Sequence, residues 1–278
     1  MRERTLARRL PYYVMFAVVA LFAAIPLYWL VLSSIKPVED LSDPSPIPAR
    51  LTLDNYLIAL TDTEIPRWLG NTLLIAIATT ALGLAVSALA AFSFARHVFA
   101  GRSILFGMVI ASLAIPEYVT VIPQYTIMRE LGLLNTYAAV VLPLAAHALT
   151  LFLLRQYFRQ LPDELFDAAR LDGASEWSTF LKVAFPLIRP GLGAAGLMLF
   201  LSSWNAYLLP LIMLQSSDQF TLPMGLAFLH SQIQLGDTAI SPWSAITAGT
   251  VLSILPLVVC LLAMQRHFIA GITQGAVR

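Results

Sequence analysis

The sequence predicts an all-α membrane protein with six transmembrane helices. Hydrophobic residues make up 58% of the 278-residue chain and charged residues only 12%, and the mean hydropathy is +0.77. A soluble domain carries about twice that charged fraction. The apolar residues also gather into segments long enough to cross a hydrocarbon core of roughly 30 Å as helices. The predicted spans cover about residues 12–35, 68–95, 103–128, 135–158, 191–215 and 243–265.

The distribution of Lys and Arg predicts the orientation of these spans, because basic residues are retained on the cytoplasmic side. Alternate segments, starting from the N-terminus, hold 13 of the 17 basic residues, and the other segments hold only Lys36, Arg50, Arg67 and Arg129. Both termini are therefore predicted to be cytoplasmic, with long polar or Pro-rich loops on the other side at about 36–67 and 216–242. The first span is expected to be an uncleaved helix, since no small-residue cleavage site closes it.

Patterns for catalysis or metal binding are missing or stand in the wrong context. The letters GLGAAG, from Gly191 to Gly196, match a dinucleotide-binding fingerprint, but a membrane span follows them and no strand precedes them. Their small side chains are expected to let helices pack closely instead. The four histidines are scattered, Cys260 is alone and no P-loop occurs. We therefore predict no catalytic residue, no metal site and no nucleotide site on this chain.

Polar residues within the predicted spans are candidates for a solute path, because each is costly in lipid and tends to face the bundle interior or water. Asn205 lies about half a span inside and is flanked by Trp204 and Tyr207, and Asn71 opens the second span. An amide beside aromatic rings suits a path for a polar solute, whereas an interhelical hydrogen bond that only holds the bundle together is the alternative. Two charged residues near span ends are instead expected to reach the interface by snorkelling, Glu117 and Arg155.

The charged stretch DELFDAARLDGASEWSTF, from Asp163 to Phe180, predicts a helix–turn–helix between the fourth and fifth spans. Pro162 fits a first helical position, and Gly173 fits a left-handed C-cap. Ser175 fits the N-cap of a second helix. Apolar residues then recur at helical spacing before Pro186, at Trp177, Phe180, Leu181 and Ala184.

This hairpin is too short and too charged to span, and its place in the chain makes it cytoplasmic. It could lie on the membrane surface, cover the bundle or simply connect two spans. Its polar face is not rich in Lys or Arg, however, which argues against a purely lipid-bound helix. Docking to a cytoplasmic partner is favoured, with the small residues Ala168, Ala169 and Gly173 allowing a close approach.

The same stretch resembles the EAA loop of binding-protein-dependent ABC importer permeases, whose pattern is E-A-A, three residues, G, nine residues and I-x-L-P. Here it is Asp167-Ala168-Ala169, Gly173 and Val183-x-Phe185-Pro186, with all spacings kept. Asp replaces Glu, Val replaces Ile and Phe replaces Leu. Because the side chain of Asp167 is shorter than that of Glu, the contact that the Glu of the pattern makes is expected to be weaker here. The segments SFARHVFAGR, IPEYVTVIPQY and SWNAYLLPL are similar to the carbohydrate, maltose-type branch, and to its second six-span permease in particular.

The resemblance implies a division of labour among several chains of a bacterial-type inner-membrane complex. This chain, a single transmembrane domain over residues 1–278, would form half of the path for a sugar or related polar solute, beside a second homologous permease. Two ATPase subunits would bind ATP and Mg²⁺, and an extracytoplasmic binding protein would deliver the solute. No nucleic acid takes part. The loop at about 159–190 would couple to an ATPase subunit through Asp167, Ala168, Ala169, Asp172, Gly173, Val183, Phe185 and Pro186, and the polar tail 271–278 would reach the ATPase dimer.

Two alternatives remain open. One is import of a glycerol-phosphate-type solute by the same mechanism. The other, from a different class, is an ATP-independent secondary transporter or channel. Such a transporter would need intramembrane ionisable residues for ion or proton coupling, and the predicted spans offer almost none away from their ends.

Overall fold

The computed structural model describes residues 2–41, 43–235 and 242–276, and the side chains at 11–41, 43–233, 243–260 and 262. All regular structure in these residues is helical. The helices are α1 (Arg2–Ser34), α2 (Asp54–Thr61), α3 (Ile65–Arg96), α4 (Arg102–Ser112), α5 (Glu117–Glu130), α6 (Tyr137–Ala145), α7 (Ala148–Gln160), α8 (Glu164–Leu171), α9 (Glu176–Thr179), α10 (Phe185–Leu187), α11 (Arg189–Trp204), α12 (Leu208–Met213), α13 (Leu222–Leu235) and α14 (Pro242–Ala276). A π-helical turn, Phe180–Ala184, joins α9 to α10.

Three helical segments in the described residues are by themselves long and apolar enough to cross a membrane. They are Pro11–Ser34 in α1, the whole of α3, and Trp243–Cys260 in α14. Three more spans result only when two helices joined at a bend are counted as one: α4 with α5, bent by 109°, α6 with α7, bent by 42°, and Glu176–Leu187 with α11, bent by 79°. The number of candidate spans is thus three, or up to six.

The bends depart from the sequence prediction of unbroken spans, and proline accounts for two of them. In the predicted span 103–128, Pro116 keeps the preceding residue out of the helical region and α5 begins only at Glu117. In the predicted span 135–158, α6 ends two residues after Pro143, and α7 begins at Ala148, directly after His147. The His147 side chain accepts a hydrogen bond from the Thr150 N–H at 3.3 Å. His147 is therefore a helix cap.

The fifth predicted span, 191–215, is also interrupted. Its helix starts at Arg189 and ends at Trp204, and a separate short helix, α12, begins at Leu208. The predicted loop 36–67 contains α2, and 216–242 contains α13, which the apolar spacing alone did not indicate. The polar tail 271–278 is described only as helical backbone up to Ala276, so its expected contact lies outside the described side chains.

The chain divides into two compact units. Unit 1 comprises Met1–Pro66 and Leu226–Leu255. Its loop after α1 is held by Asn55, whose amide donates to the Ser34 and Lys36 carbonyls at 3.0 and 2.8 Å. The side chains of α1 from 11 to 29 are exposed and mostly apolar. An exposed apolar helix of this length suits a lipid environment.

Unit 2 comprises Arg67–Gly225 and Pro256–Arg278. It has two hydrophobic cores, which contact different parts of α3. One core surrounds Phe92 near the end of α3 and includes Leu154, Phe158, Phe166 and Phe180. The other surrounds Ile75 near its start and includes Met128, Val140, Leu209 and Met213. The helix–turn–helix of residues 163–187 packs on the first core, and we call it the coupling hairpin after the role that its sequence resemblance implies.

Candidate functional site

The first helix of the coupling hairpin, α8, begins as local chemistry dictates. The Asp163 carbonyl accepts from the N–H groups of Phe166 and Asp167 at 2.9 and 3.1 Å, so Asp163 is the N-cap residue. Glu164 and Asp167 place negative charge in the first turn, where the helix dipole favours it. Pro162 lies just before the helix and not at its first position, because the first carbonyl to accept a helical hydrogen bond belongs to the following residue.

Gly173 ends α8 in the predicted left-handed conformation, with φ of +72°. The N–H of Ala174 donates to the Ala169 carbonyl at 2.9 Å, and the N–H of Gly173 donates to the Arg170 carbonyl at 3.0 Å. These two bonds form a Schellman motif. The turn is therefore fixed by the backbone, and a residue with a Cβ would be strained at position 173.

The second half of the hairpin starts at the predicted cap, Ser175, whose hydroxyl accepts from the Ser178 N–H at 3.2 Å. The predicted apolar stripe is then split. Phe180 and Ala184 are buried, whereas Trp177 and Leu181 are exposed. A π-helical turn lies in this stretch: the Phe185 N–H donates to the Phe180 carbonyl five residues back, which shifts the register of the residues that follow by one.

The end of α3 fixes the hairpin through Arg96. Its guanidinium donates to the carboxylate of Asp163. It also donates to the carbonyl of Phe158, in the last turn of α7, and to that of Leu161, the C-cap of α7. The guanidinium carbon also lies 4.1 Å from the centre of the Phe166 ring. One side chain thus closes the end of α7, pairs with the N-cap of α8 and covers the α8 core residue.

His97, the next residue, reaches the other half of the hairpin. Its Nε2 lies 3.0 Å from Oε2 of Glu176, at the start of α9. Below these contacts, the Phe92 ring packs against those of Phe158 and Phe180, with centroids 5.4 and 5.2 Å apart. We call Phe92, Arg96 and His97 the α3 clamp. The motif SFARHVFAGR gave no sign of this role, since the partners of Arg96 and His97 lie more than 60 residues further along the chain.

Much of the α8 surface is exposed, although Asp167 and Arg170 also line a small cavity with Phe92 and Arg96 of the clamp. Asp167 and Arg170 form an exposed ion pair at 3.3 Å, and Leu171 is 90% exposed. Ala168 and Asp172 lie on the same exposed surface. Ala169, expected to admit a partner, is instead buried within the chain at 8% exposure. We call Asp167, Ala168, Leu171 and Asp172 the outer face. An isolated exposed leucine bordered by small and acidic residues is a surface that a complementary groove can accept.

The remaining residues of the predicted coupling motif lie in the second half of the hairpin. Val183 belongs to the π-helical turn, and Phe185 and Pro186 belong to α10. The Phe185 ring packs edge-on against Phe180, with centroids 5.7 Å apart. These residues attach the hairpin to α11.

A cavity of about 390 Å³ lies where α11 ends. Asn205, the C-cap of α11, and Tyr207 line it, together with Glu117, Tyr118 and Ser202. Glu117, the first residue of α5, is exposed beside this cavity, and its expected contact with the membrane interface stays a prediction. The bend between α4 and α5 places the start of α5 there.

Two other path candidates lie elsewhere. Trp204 is 2% exposed and stacks on Phe200 with centroids 5.6 Å apart, so its side chain packs in the interior. Asn71 donates to the carbonyls of Asp218 and Phe220, both at 2.9 Å, and accepts from the Tyr137 hydroxyl at 2.8 Å. Asn71 thus has the bonding role that was the alternative for in-span polar residues. In the part of the chain that the structure describes, no cluster of three or more His, Cys, Asp or Glu side chains could hold a metal ion.

The helical fold and the candidate spans indicate a membrane protein, and comparison with known proteins identifies its family. Residues 83–274 match the model of the binding-protein-dependent transport system inner membrane component family. The chain is 38% identical to the arabinooligosaccharides transport system permease protein AraQ of Halalkalibacterium halodurans, over 95% of this chain and 94% of that protein. It is 33% identical to the trehalose transport system permease protein SugB of Mycobacterium tuberculosis, over 98% and 99%.

The fold is similar to that of a chain in the crystal structure of a bacterial ABC transporter involved in the import of the acidic polysaccharide alginate. The TM-score is 0.82 at 22% sequence identity, over 93% of this chain and 95% of that chain. The protein belongs to the binding-protein-dependent transport system inner membrane component family. The family predicted from the sequence motifs is therefore confirmed, and it is a family of transport permeases, not of enzymes.

Proposed function

We propose that this chain is one permease subunit of an ATP-driven importer of a neutral sugar or oligosaccharide. The observation that carries the proposal is the coupling hairpin, in a chain of this family, whose inner side is fixed by the α3 clamp and whose outer face is exposed. A rigid element with one free face can transmit force from a partner chain to the spans.

The complex has the composition that the family resemblance implies. A second homologous permease completes the path, two ATPase subunits bind ATP and Mg²⁺, and an extracytoplasmic binding protein delivers the solute. Each bent helix pair counts as one span, which gives six spans with both termini in the cytoplasm. The basic residues favour this orientation, and the hairpin then lies on the side where ATP is available. Closure of the ATPase dimer moves the hairpin, and the clamp passes the movement to α3.

The cavity beside Asn205 supports a neutral solute. An amide, a serine hydroxyl and two tyrosines can bind sugar hydroxyls and the apolar faces of sugar rings. The one charged residue among its lining residues is Glu117, and a carboxylate disfavours an anion such as a glycerol phosphate. We place Asn205 and Tyr207 on the solute path on this basis.

The mechanism is tested with the full complex in proteoliposomes, by measuring binding-protein-dependent uptake of labelled solute. Uptake should stop when ATP is depleted and persist with an uncoupler, because coupling is to ATP and not to a proton gradient. The reverse result would establish a secondary transporter. Charge reversal by Asp167→Lys, together with Leu171→Asp, should abolish uptake and reduce the amount of ATPase subunit that co-purifies.

A matched control is Asp62→Lys, which reverses an exposed carboxylate at the end of α2 in unit 1, where no ATPase contact is proposed. Its uptake should equal that of the wild-type complex. The solute class is tested by thermal shift of the cognate binding protein against arabinooligosaccharides, trehalose and glycerol 3-phosphate. A shift with glycerol 3-phosphate alone would favour the alternative substrate. Asn205→Ala should then lower uptake without lowering the amount of assembled complex.

A further inference from the structure

A second cavity in unit 2, of about 610 Å³, lies beside the start of α4 and the end of α7. Three of the side chains that line it are arginines: Arg102, Arg155 and Arg159. No carboxylate lines the cavity, and the ion pairs found among the described side chains include none of the three arginines. A cluster of unpaired like charges is costly, and a bound anion offsets that cost.

Two of the guanidinium groups are held side by side. Nε of Arg102 and Nε of Arg155 both donate to the Phe94 carbonyl, at 3.0 and 3.2 Å, and Arg102 also donates to the Ala95 carbonyl at 3.3 Å. The Arg155 guanidinium carbon lies 3.9 Å from the centre of the Phe106 ring. Each guanidinium has five N–H groups, so several donors on each remain for a ligand. Their planar arrangement suits the oxygens of a phosphate.

The third arginine is free to adapt. Arg159 follows Arg155 by one helical turn and is exposed. Its side chain makes no hydrogen bond to the described residues. The cavity also includes the start of α4 at Gly101, a residue with φ of +80° and no side-chain cap. The helix dipole therefore adds to the positive potential that the arginines establish.

The apolar residues around the arginines indicate what kind of phosphate fits. Val98 is 92% exposed and Ile104 is 66% exposed, and both line the cavity with the half-exposed Phe99. Free phosphate gives such side chains no apolar contact, whereas the acyl chains of a lipid do. Basic pockets between transmembrane helices on the cytoplasmic side bind the headgroups of anionic lipids.

We propose that Arg102, Arg155 and Arg159 form a binding site for the phosphodiester headgroup of an anionic phospholipid, such as phosphatidylglycerol or cardiolipin, in the cytoplasmic leaflet. The proposal rests on the orientation that the basic residues predict, in which the segments around 96–102 and 155–159 are cytoplasmic. It does not depend on which solute is carried. A bound lipid would hold the start of α4 against α7, because Arg102 belongs to α4 and Arg155 belongs to α7.

The test uses the full complex purified in detergent, with retention of added phosphatidylglycerol and phosphatidylcholine measured by native mass spectrometry. The wild-type complex should retain phosphatidylglycerol in preference. Arg159→Gln removes a charge but no internal hydrogen bond, so folding is preserved, and affinity should fall about fivefold. Arg155→Gln with Arg159→Gln should lower it about 25-fold if the two effects are additive. Arg155→Lys should lose less than Arg155→Gln, because it keeps the charge.

The matched control is Arg170→Gln, an exposed arginine of α8 outside this cavity, which should leave lipid retention unchanged. Competition by inorganic phosphate as strong as that by phosphatidylglycerol would assign the cavity to a free phosphate and overturn the lipid proposal. Unchanged lipid retention in the complex with both Arg155→Gln and Arg159→Gln would also overturn the proposal. Loss of the ATPase subunit from this double variant, with lipid retention intact, would overturn it too. Lipid retention is measured without transport, so failure of the proposed import function would leave this result interpretable.

Discussion

Replacement of Arg96 by Met tests whether the α3 clamp holds the coupling hairpin. Methionine keeps an apolar stem over the Phe166 ring but cannot donate to Asp163 or to the carbonyls at the end of α7. Hydrogen bonds from a charged donor contribute about 1.5–3 kcal/mol each. The two carbonyl bonds therefore contribute roughly 3–6 kcal/mol.

One further contribution lowers that figure, and another adds little to it. Nε of Arg96 is buried without a partner among the described residues, which costs about 1–3 kcal/mol. The Asp163 side chain is 87% exposed, and ion pairs of that kind contribute only about 0–1 kcal/mol. The net loss expected for Arg96→Met is about 2–4 kcal/mol, and the loss for Asp163→Asn is below about 1 kcal/mol. The clamp thus depends on the carbonyls more than on the carboxylate.

Hydrogen exchange of the complex in detergent measures this loss directly. The Arg96→Met change should speed exchange in α8 and α9 by about 30- to 1000-fold, since each 1.4 kcal/mol corresponds to a factor of ten. Exchange in α6 should not change. Arg170→Met is the control, because Arg170 is exposed and its ion pair with Asp167 lies at the surface. Equal effects of Arg96→Met and Asp163→Asn, or unchanged exchange in the hairpin, would refute the assignment of the clamp to the carbonyl bonds.

Three further substitutions test local features of unit 2, each by thermal unfolding of the purified complex. Gly173→Ala should cost about 1–2 kcal/mol because φ is +72°, and Gly173→Asn should cost less; equal costs would contradict the backbone explanation. Gly225→Ala should cost about 1–3 kcal/mol, because the added Cβ would overlap the Trp68 indole. Gly70→Ala is the control: a Cβ added at this position of α3 would have no atom nearby, so the change should be neutral or stabilising. Asn135→Ala should cost about 2–4 kcal/mol, because it removes three hydrogen bonds and leaves an alanine at a φ of +58°. Asn135→Asp should cost less, because it keeps the two hydrogen bonds that Oδ1 accepts. Identical losses of stability in the two variants would argue against these bonds.

The coupling hairpin was predictable because its turn chemistry is local. The Gly173 C-cap and the Ser175 N-cap each depend on residues within a few positions, and the structure has both. The π-helical turn was not predictable from periodicity, since a 3.6-residue spacing assumes an uninterrupted α-helix. Phe180 and Ala184 are buried as that spacing predicts, whereas Trp177 and Leu181 are exposed. The bends were partly visible in Pro116 and Pro143, but their angles depend on the packing of neighbouring helices.

Contacts that join distant segments were beyond the sequence analysis. Arg96 was counted only as a cytoplasmic charge, whereas its acceptors lie 62 to 67 residues further along the chain. Asn71 was grouped with Asn205 because both are polar and lie in predicted spans. The structure separates them, since Asn71 binds the backbone at 218 and 220 and Asn205 lines a cavity. Residue type identified the candidates, and only three-dimensional neighbours distinguish bonding roles from path roles.

The two sets of contacts at the ends of α3 suggest why this helix is the unbroken span of unit 2. At its start, Trp68 donates to the Ser217 carbonyl at 2.9 Å, and the Thr72 hydroxyl accepts from the Leu222 N–H at 2.7 Å. At its end, the clamp holds the coupling hairpin. Trp68 and Arg96 are 28 positions apart, which at 1.5 Å per residue separates the two attachments by about 42 Å. The bent pairs α4 with α5 and α6 with α7 can absorb a displacement at their hinges. In contrast, α3 is one continuous helix with no proline after its first turn, and it transmits the displacement. Movement of the hairpin by an ATPase subunit should therefore reach the segment 217–222 through α3, and a proline placed in the middle of α3 should abolish uptake while leaving the ATPase subunit bound.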